Sequence, residues 1–159
     1  NAQAGRECRD SFRAWFRSDR KDDRLLMSQL LEEVRLSKDS EQVELALNIG
    51  GMLDFADEHL EQLCELLRED WHRSHEGLVA IIDDYQSPLA VKDLYEAATR
   101  SYPYLCSDEV KALTRRAAFA LGKIWNEEAK ARLREMAAAG RSNWREVAEE
   151  QFQLHHGAL

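Results

Sequence analysis

Two histidines three residues apart are the first residues of this sequence that could do chemistry. His72 and His75 stand in the segment DWHRSHEGLVAIIDDY, which covers residues 70–85. On one helix they would share a face, and with Asp70 or Glu76 they could ligate zinc. The HExxH signature is absent and no second ligand cluster is visible in the sequence. We therefore expect neither a metal nor a cofactor.

The same segment also has a structural interpretation, in which it begins a helix. Asp70 is of a residue type that caps helix N-termini, and Trp71 and His72 would then start the helix. Glu76 would lie early in that helix, where negative charge is favourable. Trp71 would pack at the junction between two repeats. This interpretation is better supported than the metal site.

The adjacent carboxylates Asp83 and Asp84 raise the question of acid–base catalysis. Neighbouring residues on a helix point about 100° apart, which makes them a poor catalytic pair. The sequence contains no GxSxG, P-loop or GxGxxG motif, and Cys64 and Cys106 have no activating base nearby in sequence. We predict that the protein is not an enzyme.

Composition limits the class of protein. The 159 residues suit a single domain over 1–159, in which we expect 1–5 to be a tag remnant or disordered and 154–159 to be a frayed tail. Hydrophobic residues make up 44% and charged residues 33%, with only two prolines, which favours long helices. Three widely spaced cysteines predict a reducing, cytoplasmic location. No apolar run approaches the roughly 20 residues that span a bilayer.

Charge is unevenly distributed along the chain. Residues 39–110 hold 4 basic and 17 acidic side chains, whereas residues 1–38 and 111–159 each carry a small positive excess. A strongly negative segment repels nucleic acid and attracts a basic partner. The alternative is a solvated acidic surface that serves only solubility.

Apolar residues recur at helical spacing along nearly the whole chain and predict about nine helices. The first stripe is Phe12, Trp15 and Phe16. Asp39 or Ser40 would cap a helix, and Pro88 suits a first helical turn. A longer connection covers residues 101–110. The fold class we predict is all-α.

A repeat is visible when IIDDYQSPLAVKDLYEAA (81–98) is compared with ALGKIWNEEAKARLREMA (120–137), since matching apolar positions lie 39 residues apart. This pattern resembles HEAT-like repeats, which often read A-L-G-x-I-x-x-x-x-A-x-x-x-L, over roughly residues 40–153. The resemblance implies a right-handed α-solenoid of about four helix pairs. Gly122 and Gly50 would let adjacent helices approach closely.

A narrower resemblance concerns function. The chain is similar to small bacterial HEAT-like proteins at Asp70–Glu76 and at Tyr104–Leu105, and some of those proteins lie beside secreted toxins as immunity proteins. The resemblance implies a protein that binds and occludes a cognate toxin. The acidic segment predicts a basic, nuclease-like domain as the partner, and we expect neither nucleic acid nor a membrane to be bound. The candidate partner-binding residues are Asp57, Glu58, Glu61, Asp70, Trp71, Asp83, Asp84, Tyr102, Tyr104, Asp108 and Glu109.

Other interpretations stay open. The protein could be a general HEAT-like scaffold without a toxin partner, or a lyase-like enzyme or accessory subunit, because a fold does not fix a function. Tyr102 and Tyr104 could belong to a loop that only packs its own tyrosines. The basic residues Arg115–Arg116 and Arg132–Arg134 would pair with acids of the preceding repeat rather than bind nucleic acid.

Overall fold

The computed structural model describes residues 20–156, with side chains from 23 to 155, and this part of the chain contains helices and no strand. The prediction of an all-α protein is confirmed. The predicted stripe at Phe12, Trp15 and Phe16 lies outside the described residues. The eight α-helices of the described residues are α1 (Arg20–Ser37), α2 (Ser40–Leu53), α3 (Leu60–Arg68), α4 (His75–Tyr85), α5 (Val91–Thr99), α6 (Ser107–Ile124), α7 (Glu127–Ala138) and α8 (Ser142–His156).

Several helix ends follow from local sequence. The Asp39 carboxylate accepts the Glu41 amide at the start of α2, as predicted. Pro88 opens a short 3₁₀ turn, Pro88–Ala90, that leads into α5. Gly140 follows α7 with a φ of 74°, a left-handed conformation that glycine adopts without steric cost. Helix α8 continues to His156 and so covers the beginning of segment 154–159.

Two predicted boundaries are wrong. Helix α4 begins at His75, so Asp70 does not cap it and Asp70–Ser74 form a connection instead. The reason lies in tertiary hydrogen bonds of the histidines, which sequence spacing does not reveal. The connection expected over 101–110 ends at Cys106, and Asp108 and Glu109 belong to the first turn of α6. There the Glu109 carboxylate accepts the Cys106 amide at 2.8 Å.

The described helices contact their near neighbours along the chain. Consecutive helices pack together most extensively as α1 with α2, α3 with α4, α5 with α6 and α7 with α8. Each helix also contacts the next but one, so that α2, α4, α6 and α8 form one row and α1, α3, α5 and α7 form another. The core between the rows is one continuous cluster of buried side chains from Met27 to Phe152.

Ion pairs fix the relative direction of α4 and α6. Glu76 accepts from Arg116 at 3.1 Å, and Asp83 pairs with Lys123 two helical turns further on. Both pairs join residues 40 apart, so the two helices run in the same direction. The expectation that arginines pair with earlier acids is therefore confirmed for Arg116.

The other basic residues behave differently. Arg115 pairs with Glu150 of the later helix α8 at 2.7 Å, and Arg132 pairs with Glu135 of its own helix at 3.0 Å. The expectation of an earlier acidic partner is wrong for both. Residues three apart on one helix are neighbours, so Arg132 can pair within its own helix.

One ion pair is partly inside the protein. Arg68 of α3 donates to both carboxylate oxygens of Asp93 of α5, at 2.6 and 2.9 Å. Asp93 is only 2% exposed, whereas the Arg68 side chain is 49% exposed. The two-pronged geometry gives a cation to a carboxylate that would otherwise be buried without one.

The two predicted close approaches have different causes. A side chain at Gly122 would meet the Gln151 side chain of α8, which confirms a close contact between neighbouring helices. A side chain at Gly50 would collide with the Phe55 ring, whose atoms lie 2.0–2.5 Å from the Cβ position. Gly50 therefore makes room for the connection after its own helix and not for an adjacent helix. No described helix is long and apolar enough to cross a membrane.

Candidate functional site

The histidine pair proves to be a structural feature of the connection between α3 and α4. Both rings are buried and stack with centroids 4.3 Å apart. His72 Nε2 donates to the Leu66 carbonyl at 2.8 Å, and His75 Nε2 donates to the Glu69 carbonyl at 2.8 Å. The last carbonyls of a helix lack partners within that helix. The two imidazoles therefore cap the C-terminus of α3.

The remaining ring nitrogens are also occupied. The Ser74 amide donates to His72 Nδ1 at 3.2 Å, and the Tyr104 hydroxyl lies 2.7 Å from His75 Nδ1, to which it donates when the ring is neutral. We call His72, His75 and Tyr104 the histidine clasp. In the neutral form each imidazole has one donor and one acceptor nitrogen, and the Ser74 amide requires that form of His72.

The electrostatics of the clasp agree with this hydrogen bonding. Burial, and next the neighbouring His72 ring, lower the pKa of His75 to about 4. Burial also lowers the pKa of His72. A metal would need a free ring nitrogen, and both rings use theirs. No group of three or more His, Cys, Asp or Glu within residues 23–155 could hold a metal ion.

The tyrosines near the clasp serve packing. Tyr102 is 4% exposed, and its ring centroid lies 4.4 Å from that of His75. Tyr104 is half-buried by the same ring. Trp71 donates to Glu69 at 2.9 Å and packs edge-on against His72. Both tyrosines of the connection between α5 and α6 therefore pack against His75 at the start of α4, and Tyr102 presents almost no surface to a partner.

A groove lies at the opposite end of α4. It has a volume of about 470 Å³ and is bordered by α2, the connection 54–59 and α4. Both apolar and acidic side chains line it, and we call it the acidic groove. Its lining residues are Leu47, Gly50, Gly51, Asp54, Phe55, Asp57, Ile81, Asp84 and Tyr85.

Local sequence builds the acidic groove. Helix α2 ends at Leu53, and Asp54 turns the chain with a φ of 65°. Phe55 then folds back onto Gly50, whose missing side chain leaves space for the ring. Nothing lies within 4 Å of a side chain built at Gly51, so that position is open to the groove.

Two hydrogen-bonded anchors hold the connection in place. The Tyr85 hydroxyl donates to the Ala56 carbonyl at 2.9 Å. The buried His59 ring accepts the Ala56 amide at Nδ1 and donates from Nε2 to the Arg24 carbonyl, both at 3.0 Å. Because the walls are anchored in this way, the groove is formed before anything binds.

The carboxylates at the rim give the groove its charge. Burial raises the pKa of Tyr85, and the charges of Asp57, Cys64 and Asp84 raise it further. Asp57 and Asp84 both line the groove beside Tyr85. No described Lys or Arg pairs with Asp57 or Asp84. Glu58 lies 4.0 Å from Arg24, and Glu61 is exposed in the first turn of α3.

The predicted partner-binding residues therefore do not form one surface. Asp57, Glu58, Glu61 and Asp84 lie at the groove end of α4. The register of α4 and α6 places Asp108 about 24 Å along the helix axis from the level of Asp84.

The other end of α4 carries a second group, which comprises Asp70, Trp71, Tyr104, Asp108 and Glu109. Asp83 belongs to neither group, because it pairs with Lys123 and its side chain is only 18% exposed. Asp54, Phe55 and Tyr85 line the groove although no motif marks them. The adjacent glycines Gly50 and Gly51 are the feature of the sequence that could have indicated a groove at this position.

Comparisons of the chain with protein families, with curated proteins and with solved structures found no match. The function is therefore inferred from the geometry of the described residues.

Proposed function

We propose that this protein is a HEAT-like module that binds another protein, and that the acidic groove is its principal contact. In the proposed architecture, four helix pairs stack as a right-handed α-solenoid. The two rows of helices that contact each other next but one support this proposal, as do the ion pairs between residues 40 apart. Stacked pairs of this kind offer extended surfaces for partners.

The partner we propose is a basic, nuclease-like toxin domain, which the protein occludes as an immunity protein. The observation that carries the proposal is the pair Asp57 and Asp84, two carboxylates without a described cation beside a preformed groove. Such a surface attracts a cationic partner, and its half-buried apolar residues provide contact area once the partner has docked.

The cytoplasm is the proposed compartment. Cys64 is buried and unpaired, and Cys106 is exposed and unpaired, which suits a reducing environment. An immunity protein in that compartment would meet the toxin after its entry into the cell.

The test begins with affinity purification from the source cell at low salt, followed by identification of any basic protein that stays bound in stoichiometric amount. Association rates of that protein are then compared between the variant Asp57→Lys/Asp84→Lys and the control Glu128→Lys/Glu146→Lys. Both variants change the net charge equally, but the control residues are exposed on α7 and α8.

We expect the groove variant to slow association by about tenfold or more at low salt and the control to slow it only slightly. Circular dichroism establishes that both variants are folded. If no basic protein is retained, or if the two variants slow association equally, the proposed function is wrong.

A further inference from the structure

We propose that the acidic groove seats an arginine side chain of the partner protein, with the guanidinium between Asp57 and Asp84 and its stem against the apolar wall. This inference rests on the proposed function and names the group that the groove recognises. It is carried by the combination of two uncompensated carboxylates with an aromatic and aliphatic lining.

The lining selects a long organic cation. Phe55, Ile81 and Tyr85 are partly exposed and pack at the edge of the core. A small hydrated ion would gain nothing from these surfaces, and no described group of ligands fits a metal. A basic side chain combines an aliphatic stem with a terminal charge, so it matches both parts of the groove.

The arrangement favours arginine over lysine. Asp57 belongs to the 3₁₀ turn Asp57–His59 and Asp84 to the last turn of α4, so the two carboxylates approach from different elements. A planar guanidinium presents donors in several directions and can stack on aromatic rings such as Phe55 and Tyr85. An ammonium group is more strongly hydrated and loses more on leaving water.

The walls of the acidic groove are also preorganised for binding. The Tyr85 hydroxyl and the His59 ring fix the connection 54–59, and Gly50 leaves the space that the Phe55 ring occupies. Binding therefore orders few protein groups, which reduces the entropic cost of docking.

The test is a titration of the full chain with short peptides, in which the chemical shifts of the backbone amides are measured by nuclear magnetic resonance at each step. The probes are Ac-Gly-Gly-Arg-Gly-Gly-NH₂ and two analogues in which arginine is replaced by lysine or by citrulline, a neutral isostere. The protein variants are Asp57→Asn/Asp84→Asn and the control Glu128→Gln/Glu146→Gln, which removes the same charge from exposed sites on α7 and α8.

We expect the arginine peptide to bind weakly but saturably, with shifts centred on Gly50, Gly51 and Phe55. The lysine peptide should bind about threefold or more weakly, and the citrulline peptide should produce no saturable shift. The groove variant should weaken arginine binding by about tenfold, whereas the control variant should leave it unchanged.

Shifts spread over the whole surface, equal binding of the lysine peptide, or retained binding by the groove variant would overturn the arginine assignment. That failure differs from failure of the proposed function. A captured basic protein that depends on Asp57 and Asp84, combined with no arginine binding at the groove, refutes only the inference. Arginine binding without any basic partner in the cell refutes only the function.

Discussion

Acidification should destabilise this protein well before its carboxylates are protonated, because the histidine clasp requires neutral rings. His75 has a pKa of about 4 in the folded chain, compared with the ordinary 6.5 that applies to the unfolded chain. Between these pH values the unfolded state binds more protons, so the free energy of unfolding falls as the pH falls. The contribution of His75 is fully present above pH 6.5 and is lost progressively towards pH 4.

The size of the effect follows from the pKa difference. Each pH unit below 6.5 removes about 1.4 kcal/mol until the folded ring itself begins to titrate. Lowering the pH from 7 to 5 should therefore cost about 2 kcal/mol through His75 alone. The lowered pKa of His72 acts in the same direction.

The assay is urea unfolding at pH 7 and pH 5 for the wild type, for His75→Gln and for the control His155→Gln. The glutamine amide can still donate to the Glu69 carbonyl but does not titrate. We expect His75→Gln to be less stable at pH 7 and to lose about 2 kcal/mol less than the wild type between the two pH values. His155 stacks on Trp125, remote from the clasp, and its variant should keep the wild-type difference.

Equal losses in the wild type and in His75→Gln would refute the reasoning, since they would show that His75 is not held neutral by the fold. Slopes of the urea transitions must be similar for the comparison to be valid.

Two further predictions concern stability. Gly50→Ala should lower the free energy of unfolding in urea by about 1–3 kcal/mol, because the added methyl group collides with the Phe55 ring. Gly51→Ala should leave it unchanged or raise it by up to about 1 kcal/mol, because the position is open. Equal effects of the two changes would contradict this packing. Arg68→Ala should cost about 2 kcal/mol because it leaves the Asp93 carboxylate buried without its cation, and adding Asp93→Leu should recover part of that loss in a double-mutant cycle. Strictly additive losses would show that the two side chains do not interact.

The helical class and several helix ends could be predicted from the sequence, because they depend on local spacing and local hydrogen bonds. Asp39 and Pro88 act within one turn of their own positions. The start of α4 could not be predicted, since His72 and His75 find their carbonyl partners six residues earlier, on a different element. Sequence patterns do not encode which donor satisfies an exposed helix end.

The acidic groove was likewise only half predictable. The excess of acidic residues pointed to the segment that contains it, but not to which carboxylates lack a cation. Asp83 and Asp84 are adjacent in sequence, yet one pairs with Lys123 and the other lines the groove. That difference depends on which helix packs beside each face of α4, and it arises from tertiary structure alone.

The position of the groove between α2 and α4 has a consequence for how the protein opens. The described helices make their extensive contacts with near neighbours along the chain, so we expect the first and second helix pairs to separate while the later pairs remain folded. Such a partial opening would dismantle the groove without global unfolding. Any group seated there would hold the two pairs together, and it would slow hydrogen exchange in α1 and α2 more than in α7 and α8.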